Sequence, residues 1–157
     1  MSAVMWVMKK SRLSQLIDES GGTTALNALR EAERQLAPLR DAAMEALEAG
    51  LVELEDMTAS APPAGLEGFW LDEVYRAGGG LLDVAGPFGL DDMCSATYSL
   101  CELVDRQKRA ERCDPTTVRI HVSSIRLLAR PDQPKEARQA VLDGLSRLVE
   151  RAARSPG

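Results

Sequence analysis

The sequence is poor in aromatic residues, which make up 4% of its 157 positions. A core with so few rings has to be filled by Leu, Ala, Val and Met. This composition favours helix packing, because strands prefer β-branched and aromatic side chains. A chain of this length can bury a core without disulfides or metals. We therefore expect an all-α protein whose residues 1–157 form a single helical-bundle domain.

The sequence also lacks an excess of basic residues, with 19 Lys and Arg against 24 Asp and Glu and a net charge of −5. A general nucleic-acid-binding protein needs a basic surface to meet phosphates, so this class is not expected. The apolar run within residues 1–10 is too short to span a bilayer, and its lysines follow the run instead of preceding it. Neither a membrane span nor a secretory signal is predicted.

Cysteine and histidine are scarce, with three cysteines and one histidine. Cys94 and Cys101 are seven residues apart, about 10 Å along a helix, which is too far for a disulfide. A reducing, cytoplasmic location is expected, with both as small core residues. No CxxC or HxxxH spacing would bring Cys94, Cys101, Cys113 and His121 together as a zinc site. No metal or cofactor is predicted.

Apolar residues at helical spacing indicate several helices. Residues 1–22 are predicted as an N-terminal arm and a short helix that ends at Gly21-Gly22. A long helix is predicted over residues 23–59, with Pro38 causing a kink or a local break in it. Its apolar stripe consists of Leu26, Leu29, Leu36, Leu39, Ala43, Leu47, Leu51, Leu54 and Met57. The stripe can bury against the same chain or a second copy, so a homodimer stays open.

Four further helices are predicted over residues 66–153. The third and fourth helices, about 66–85 and 90–111, are expected to bury Phe69 or Trp70, Val74, Leu81 and Val84, and then Met93, Thr97, Leu100 and Val104. Asp114-Pro115 begins the next helix as an N-cap and a first-turn proline, and Pro131 ends it. The last helix, about 134–153, should bury Ala137, Val141, Leu145, Leu148 and Ala152. Together these helices predict an antiparallel bundle of four or five helices.

Three consecutive glycines, Gly78, Gly79 and Gly80, interrupt the third helical pattern. Each lowers helix stability by about 1 kcal/mol relative to alanine. Three interpretations are open: the run divides the helix, lets a neighbouring helix pack close to the backbone, or leaves a flat exposed patch on which a partner docks.

The stretch from Ala77 to Leu103, AGGGLLDVAGPFGLDDMCSATYSLCEL, resembles the core of histidine-phosphotransfer domains. Those domains are four-helix bundles with a phosphorylatable histidine in mid-helix, followed by a lysine, small residues and a glycine-containing turn. The AGPFGL turn and the helix after it carry the resemblance. The whole chain also resembles the small CheE proteins encoded beside chemotaxis genes in alphaproteobacteria, through SRLSQLIDESGGTTALNALREAERQL and HVSSIRLLAR.

The resemblance does not extend to the chemistry. Counted back from Gly89, the phosphoacceptor position of the family is occupied by Gly79 and its lysine position by Leu82. A glycine cannot carry phosphate and a leucine cannot neutralise it. The resemblance therefore implies a pseudo-phosphotransfer module that keeps the small-residue patch and has lost the reactive group.

His121 is the remaining candidate acceptor. Arg119, Arg126 and Arg130 form a basic stripe on the same predicted helix, but His121 flanks the apolar face instead. A packed structural histidine is therefore the main interpretation. A phosphoacceptor role, with Arg119 or Arg126 offsetting the phosphate charge, is the alternative.

The sequence favours a non-catalytic interaction module of bacterial two-component or chemotaxis signalling. Its docking surface for a receiver domain or a histidine kinase would consist of Gly78, Gly79, Gly80, Leu82 and Asp83, with Arg119 and Arg126 as further partner-binding residues. One alternative is an active phosphotransfer protein that uses His121. Another is a helical adaptor or assembly chaperone that binds partners through the long helix.

Overall fold

The computed structural model of the protein describes residues 24–130 and 132–154, and these are helices and connecting loops without a strand. The predicted all-α class is confirmed. The α-helices are α1 (Ala25–Leu36), α2 (Arg40–Thr58), α3 (Glu67–Ala85), α4 (Asp91–Arg109), α5 (Pro115–Leu128) and α6 (Lys135–Arg154). The predicted arm and short helix within residues 1–22 lie outside the described residues. No helix in the described ranges has the length and apolar character needed to cross a membrane.

The break predicted at Pro38 is confirmed. A three-residue 3-10 segment, Ala37–Leu39, separates α1 from α2. Proline cannot donate the backbone hydrogen bond that an uninterrupted α-helix needs at this position.

The chain divides into two compact units at Pro38 and Leu39. Of the first unit, the structure describes residues 24–38, which contain α1. The hydroxyl of Thr24 accepts a hydrogen bond from the amide of Asn27 and caps the helix. Leu26 and Leu29, the first residues of the predicted apolar stripe, are more than half exposed in the part of the chain that the structure describes. That residues 1–157 form one domain stays a prediction.

The second unit, described over residues 39–130 and 132–154, holds the core. Helix α2 packs against α3 and α5, and α4 packs against α3, α5 and α6. Helices α3 and α4 run in opposite directions, because Asp72 pairs with Lys108 while Gly78, six residues later, lies against Cys101. The two helices are joined by a 3-10 turn, Gly86–Phe88. Gly89 ends that turn with a φ of 70°, a conformation that favours glycine.

Most predicted core positions in the centre of the chain are confirmed, but Ala43, Met57 and Val84 are only partly buried and Leu39 is 56% exposed. In α2 the buried residues are Leu47, Leu51, Leu54 and Thr58, and in α4 all four predicted inward residues have no exposed surface. In α3 the choice between two aromatic residues is settled: Trp70 is buried and donates its Nε1–H to the carbonyl of Met57, whereas Phe69 is 66% exposed.

The last helix differs from the prediction at two positions. Ala137 is exposed, whereas Val149, which was not predicted, is buried beside Leu145. Three residues are slightly less than one 3.6-residue turn and four are slightly more. Residues 148 and 149 therefore lie on either side of Leu145 on the helix surface. Periodicity therefore leaves the choice between them to the packing against α4.

Candidate functional site

The three glycines of α3 have different surroundings, and the helix is continuous through them. A Cβ added to Gly78 would lie 3.2 Å from Sγ of Cys101 and 3.7 Å from Cγ2 of Thr97. A Cβ on Gly79 or Gly80 would meet nothing within 4 Å. The interpretation as a helix break is therefore wrong. Close helix packing explains Gly78 alone, and the absence of side chains at Gly79 and Gly80 has no packing reason within the described chain.

The surface beside Gly79 carries the two tyrosines of the sequence. Tyr75, one turn before Gly79 on α3, is 50% exposed, and Tyr98, which follows the Gly78 contact residue Thr97 on α4, is 65% exposed. Both flank the outer side of the contact between α3 and α4. Sequence analysis did not select these tyrosines, because a lone Tyr in a helical pattern is equally compatible with a core position and a surface position.

Two further predicted residues complete this surface. Leu82 is half-buried one turn after Gly79, and Asp83 is exposed. Helical spacing of three and four residues aligns Tyr75, Gly79, Leu82 and Asp83 on one side of α3. We call this surface the α3–α4 face and define it as Tyr75, Gly79, Leu82, Asp83 and Tyr98.

The two predicted arginines lie at a different place. Nε of Arg119 donates to the carbonyl of Thr58 at 3.1 Å. Arg126 forms a two-bond ion pair with Glu55, at 3.0 Å and 2.7 Å, and a second ion pair with Glu48 at 2.5 Å. These contacts join α5 to α2, whereas Gly78 lies at the contact between α3 and α4. The structure therefore does not bring the predicted glycine and arginine residues into one site.

Charge pairing accounts for the electrostatics of Arg126. Its hydrogen bonds to Glu55 and Glu48 raise the pKa of its guanidinium, and the same pair lowers the pKa of the Glu55 carboxyl. With two carboxylates bound and 21% of its side chain exposed, Arg126 already has its countercharges. Arg126 therefore links α5 to α2 through these ion pairs, which is not the arrangement expected of a phosphate-binding residue.

His121 has no exposed surface, which confirms the interpretation as a packed histidine. Its Nδ1 lies 3.0 Å from the carbonyl oxygen of Thr117, and its Nε2 lies 3.2 Å from Oγ of Ser99 on α4. Burial lowers the pKa of the imidazole, and the Thr117 hydrogen bond offsets this only in part. Accepting phosphate from a partner protein would require His121 to become exposed.

The cysteines are thiols set among apolar neighbours. Cys94 and Cys113 are partly buried against the core, and Cys101 is half-buried beside Gly78. Burial raises the pKa of all three thiols, which keeps them protonated and weakly nucleophilic. Across residues 24–130 and 132–154, no three His, Cys, Asp or Glu side chains lie close enough together to hold a metal ion.

Comparisons with protein-family models, with curated proteins and with solved structures found no match.

Proposed function

We propose that this protein is a non-catalytic interaction module of bacterial two-component or chemotaxis signalling, which docks a receiver domain or a histidine kinase through its α3–α4 face. The observation that carries the proposal is the open space around Gly79 and Gly80. Each glycine costs the helix about 1 kcal/mol relative to alanine, and no helix within residues 24–130 and 132–154 fills the space. A partner that approaches the bare backbone would explain why side chains are missing there.

The exposed tyrosines support a docking surface at this position. Tyrosine is enriched where protein interfaces concentrate their binding energy, since it combines a large apolar ring with a hydroxyl that tolerates water. Tyr75 and Tyr98 are exposed on either side of Gly79, where no side chain covers the helix backbone. The face therefore offers a partner two aromatic side chains next to exposed backbone.

The resemblance to histidine-phosphotransfer domains supplies the class of partner. We propose that α2 to α5 form a phosphotransfer-like antiparallel bundle, in which the α3–α4 face corresponds to the surface that a receiver domain approaches. Gly79 and Leu82 occupy the acceptor and lysine positions of that resemblance, so the docked partner would not be dephosphorylated. The module would act in the cytoplasm, by competing with an active phosphotransfer protein or by holding signalling proteins together.

Gly79→Arg tests this proposal. The long arginine side chain fills the open space at position 79. The affinity of the partner for this protein should therefore fall at least about tenfold, which corresponds to about 1.4 kcal/mol. Gly144→Arg is the matched control, because Gly144 is another helical glycine with no atom within 4 Å of an added Cβ. Binding to a panel of receiver domains and histidine kinases is measured by titration calorimetry, with helical content monitored by circular dichroism. Equal binding by the wild type and folded Gly79→Arg would overturn the docking proposal.

The alternative of active phosphotransfer through His121 has a separate test. Wild type and His121→Ala are incubated with a phosphorylated receiver, and transfer of label to the chain is followed. Label that appears on the wild type and is lost in the variant would replace the non-catalytic proposal. We expect none, because His121 has no exposed surface.

A helical adaptor outside signalling is a second candidate. It is favoured by the exposure of Leu26 and Leu29 on α1, 56% and 57% in the described part of the chain. Exposed apolar residues at helical spacing suit a partner groove. Substituting Leu26 and Leu29 by Glu separates the candidates, since this change should abolish adaptor binding and leave binding at the α3–α4 face intact.

A further inference from the structure

The hydrogen bonds of His121 define which nitrogen carries its proton. The carbonyl oxygen of Thr117 can only accept a hydrogen bond, so Nδ1 is the donor at their 3.0 Å contact. In the neutral ring, Nε2 then has the free lone pair. The Ser99 hydroxyl, 3.2 Å away, therefore donates to Nε2. A buried neutral imidazole is thus aligned as a base on one serine hydroxyl.

Ser99 also has access to a groove. Its side chain is half-buried and borders an open cavity of about 380 Å³ between α4 and α6. The same cavity is also lined by Ser95, Tyr98, Ser146 and Val149. His121 thus approaches Ser99 from the protein interior, while a small molecule can approach it from the groove.

The groove contains a cation as well. The guanidinium of Arg106 lines it and is held by the Glu102 carboxylate, one turn earlier on α4, through Nη2 at 2.6 Å and Nε at 3.2 Å. Both of these bonds go to the same carboxylate oxygen. Glu102 and Glu150 line the same groove, so the guanidinium lies there beside two carboxylates.

We infer that Ser99 is a nucleophilic serine activated by His121, which takes an acyl group from an activated ester bound in the α4–α6 groove. Oγ of Ser99 attacks the ester carbonyl carbon while its proton passes to Nε2 of His121. The bond between the carbonyl carbon and the leaving oxygen then breaks, and the leaving group departs as an alcohol with the proton from Nε2. The products are an ester on Ser99 and neutral His121, without an oxidant or a cofactor.

This reactive serine does not rest on the proposed docking function, because its chemistry needs no partner at the α3–α4 face. Tyr98, which belongs to that face, also lines the α4–α6 groove beside Ser99. Sequence analysis gave no sign of it, because Ser99 and His121 are 22 residues apart and match no catalytic motif.

The test uses the full chain and two probes, an alkyl fluorophosphonate and p-nitrophenyl acetate, with the modified residue mapped by peptide mass spectrometry. Ser99 should be labelled about 100-fold faster than Ser124, whose hydroxyl donates only to the Ile120 carbonyl. Labelling should disappear in Ser99→Ala, persist in Ser124→Ala and be lost when the wild type is unfolded in urea. Its rate should rise with pH as His121 loses its proton and then remain constant.

Two results would overturn the inference. One is labelling of folded wild type that is no faster at Ser99 than at Ser124. The other is labelling at Ser99 that persists in urea, because it would show an ordinary serine that does not depend on His121. Both results come from wild-type protein and remain decisive even if Ser99→Ala fails to fold.

Discussion

Gly78 on α3 and Cys101 on α4 face each other so closely that a Cβ on Gly78 would lie 3.2 Å from the cysteine Sγ. This contact is tighter than ordinary van der Waals packing and marks a close approach of the two helices. The absence of a side chain at Gly78 is therefore explained by packing, in contrast to its two neighbours.

This difference predicts opposite effects of substitution along the glycine run. Gly78→Val should lower the free energy of unfolding by about 1–3 kcal/mol, because its methyl groups overpack the contact with Cys101. Gly79→Ala and Gly80→Ala should each raise it by up to about 1 kcal/mol through better helix propensity. Urea unfolding of the three variants measures the values. Destabilisation by Gly80→Ala would show that a contact within the protein needs this glycine.

The pair Arg126–Glu55 predicts a measurable brace between α5 and α2. Arg126→Ala should cost about 1–3 kcal/mol, because a two-bond ion pair with one largely buried member is lost. A double-mutant cycle with Glu55→Gln isolates the pair energy. The pair with Glu48, whose side chain is 62% exposed, should contribute less than about 1 kcal/mol. A coupling energy near zero for Arg126 and Glu55 would contradict the brace.

Buried His121 predicts a loss of stability in mild acid. Its pKa in the folded chain is lowered from the ordinary 6.5 by burial, so below pH 6.5 the unfolded chain binds a proton that the folded chain does not. The free energy of unfolding should therefore be constant above that pH, fall as the pH drops below it, and level off once the folded histidine is protonated. Chemical denaturation between pH 8 and pH 5 is the measurement.

His121→Gln is the matched control for this pH dependence, because glutamine can hydrogen-bond but does not titrate. Glu55 also has a pKa lowered by its partner, yet its contribution is lost only as the pH falls below its ordinary 4.5. The contributions of His121 and Glu55 to stability are therefore lost in different pH ranges. An equal slope between pH 6.5 and pH 5 in wild type and variant would contradict a role of His121.

The Asp114 cap predicts a local effect at the start of α5. Oδ1 of Asp114 accepts the amide hydrogens of Thr116 and Thr117, at 3.1 Å and 3.2 Å. Asp114→Ala should cost about 0.5–2 kcal/mol, and Asp114→Ser should retain most of the stability, since serine also caps helices. Thermal unfolding compares the two variants. Equal melting temperatures would show that α5 does not depend on this cap.

Local signals in the sequence were sufficient to predict the helices within residues 24–130 and 132–154. Pro38, the Gly86-Pro87 turn and Asp114-Pro115 set the ends of helices because each changes the backbone hydrogen bonding of its own neighbours. The spacing of α4 identified four of its buried residues for a similar reason, since a helix with polar residues on its other side can bury only one face. It missed Ala96, Leu103 and Gln107, which are buried as well.

Contacts between helices decided what the periodicity left open. Gly78, Gly79 and Gly80 are identical in sequence, and only the position of Cys101 makes the first a packing residue. Arg126, which the sequence places in a basic stripe, links α5 to α2 because α2 places Glu48 and Glu55 against it. The pairing of Ser99 with His121 likewise arises from two helices meeting, and such a meeting depends on the summed packing of the core, which no local pattern records.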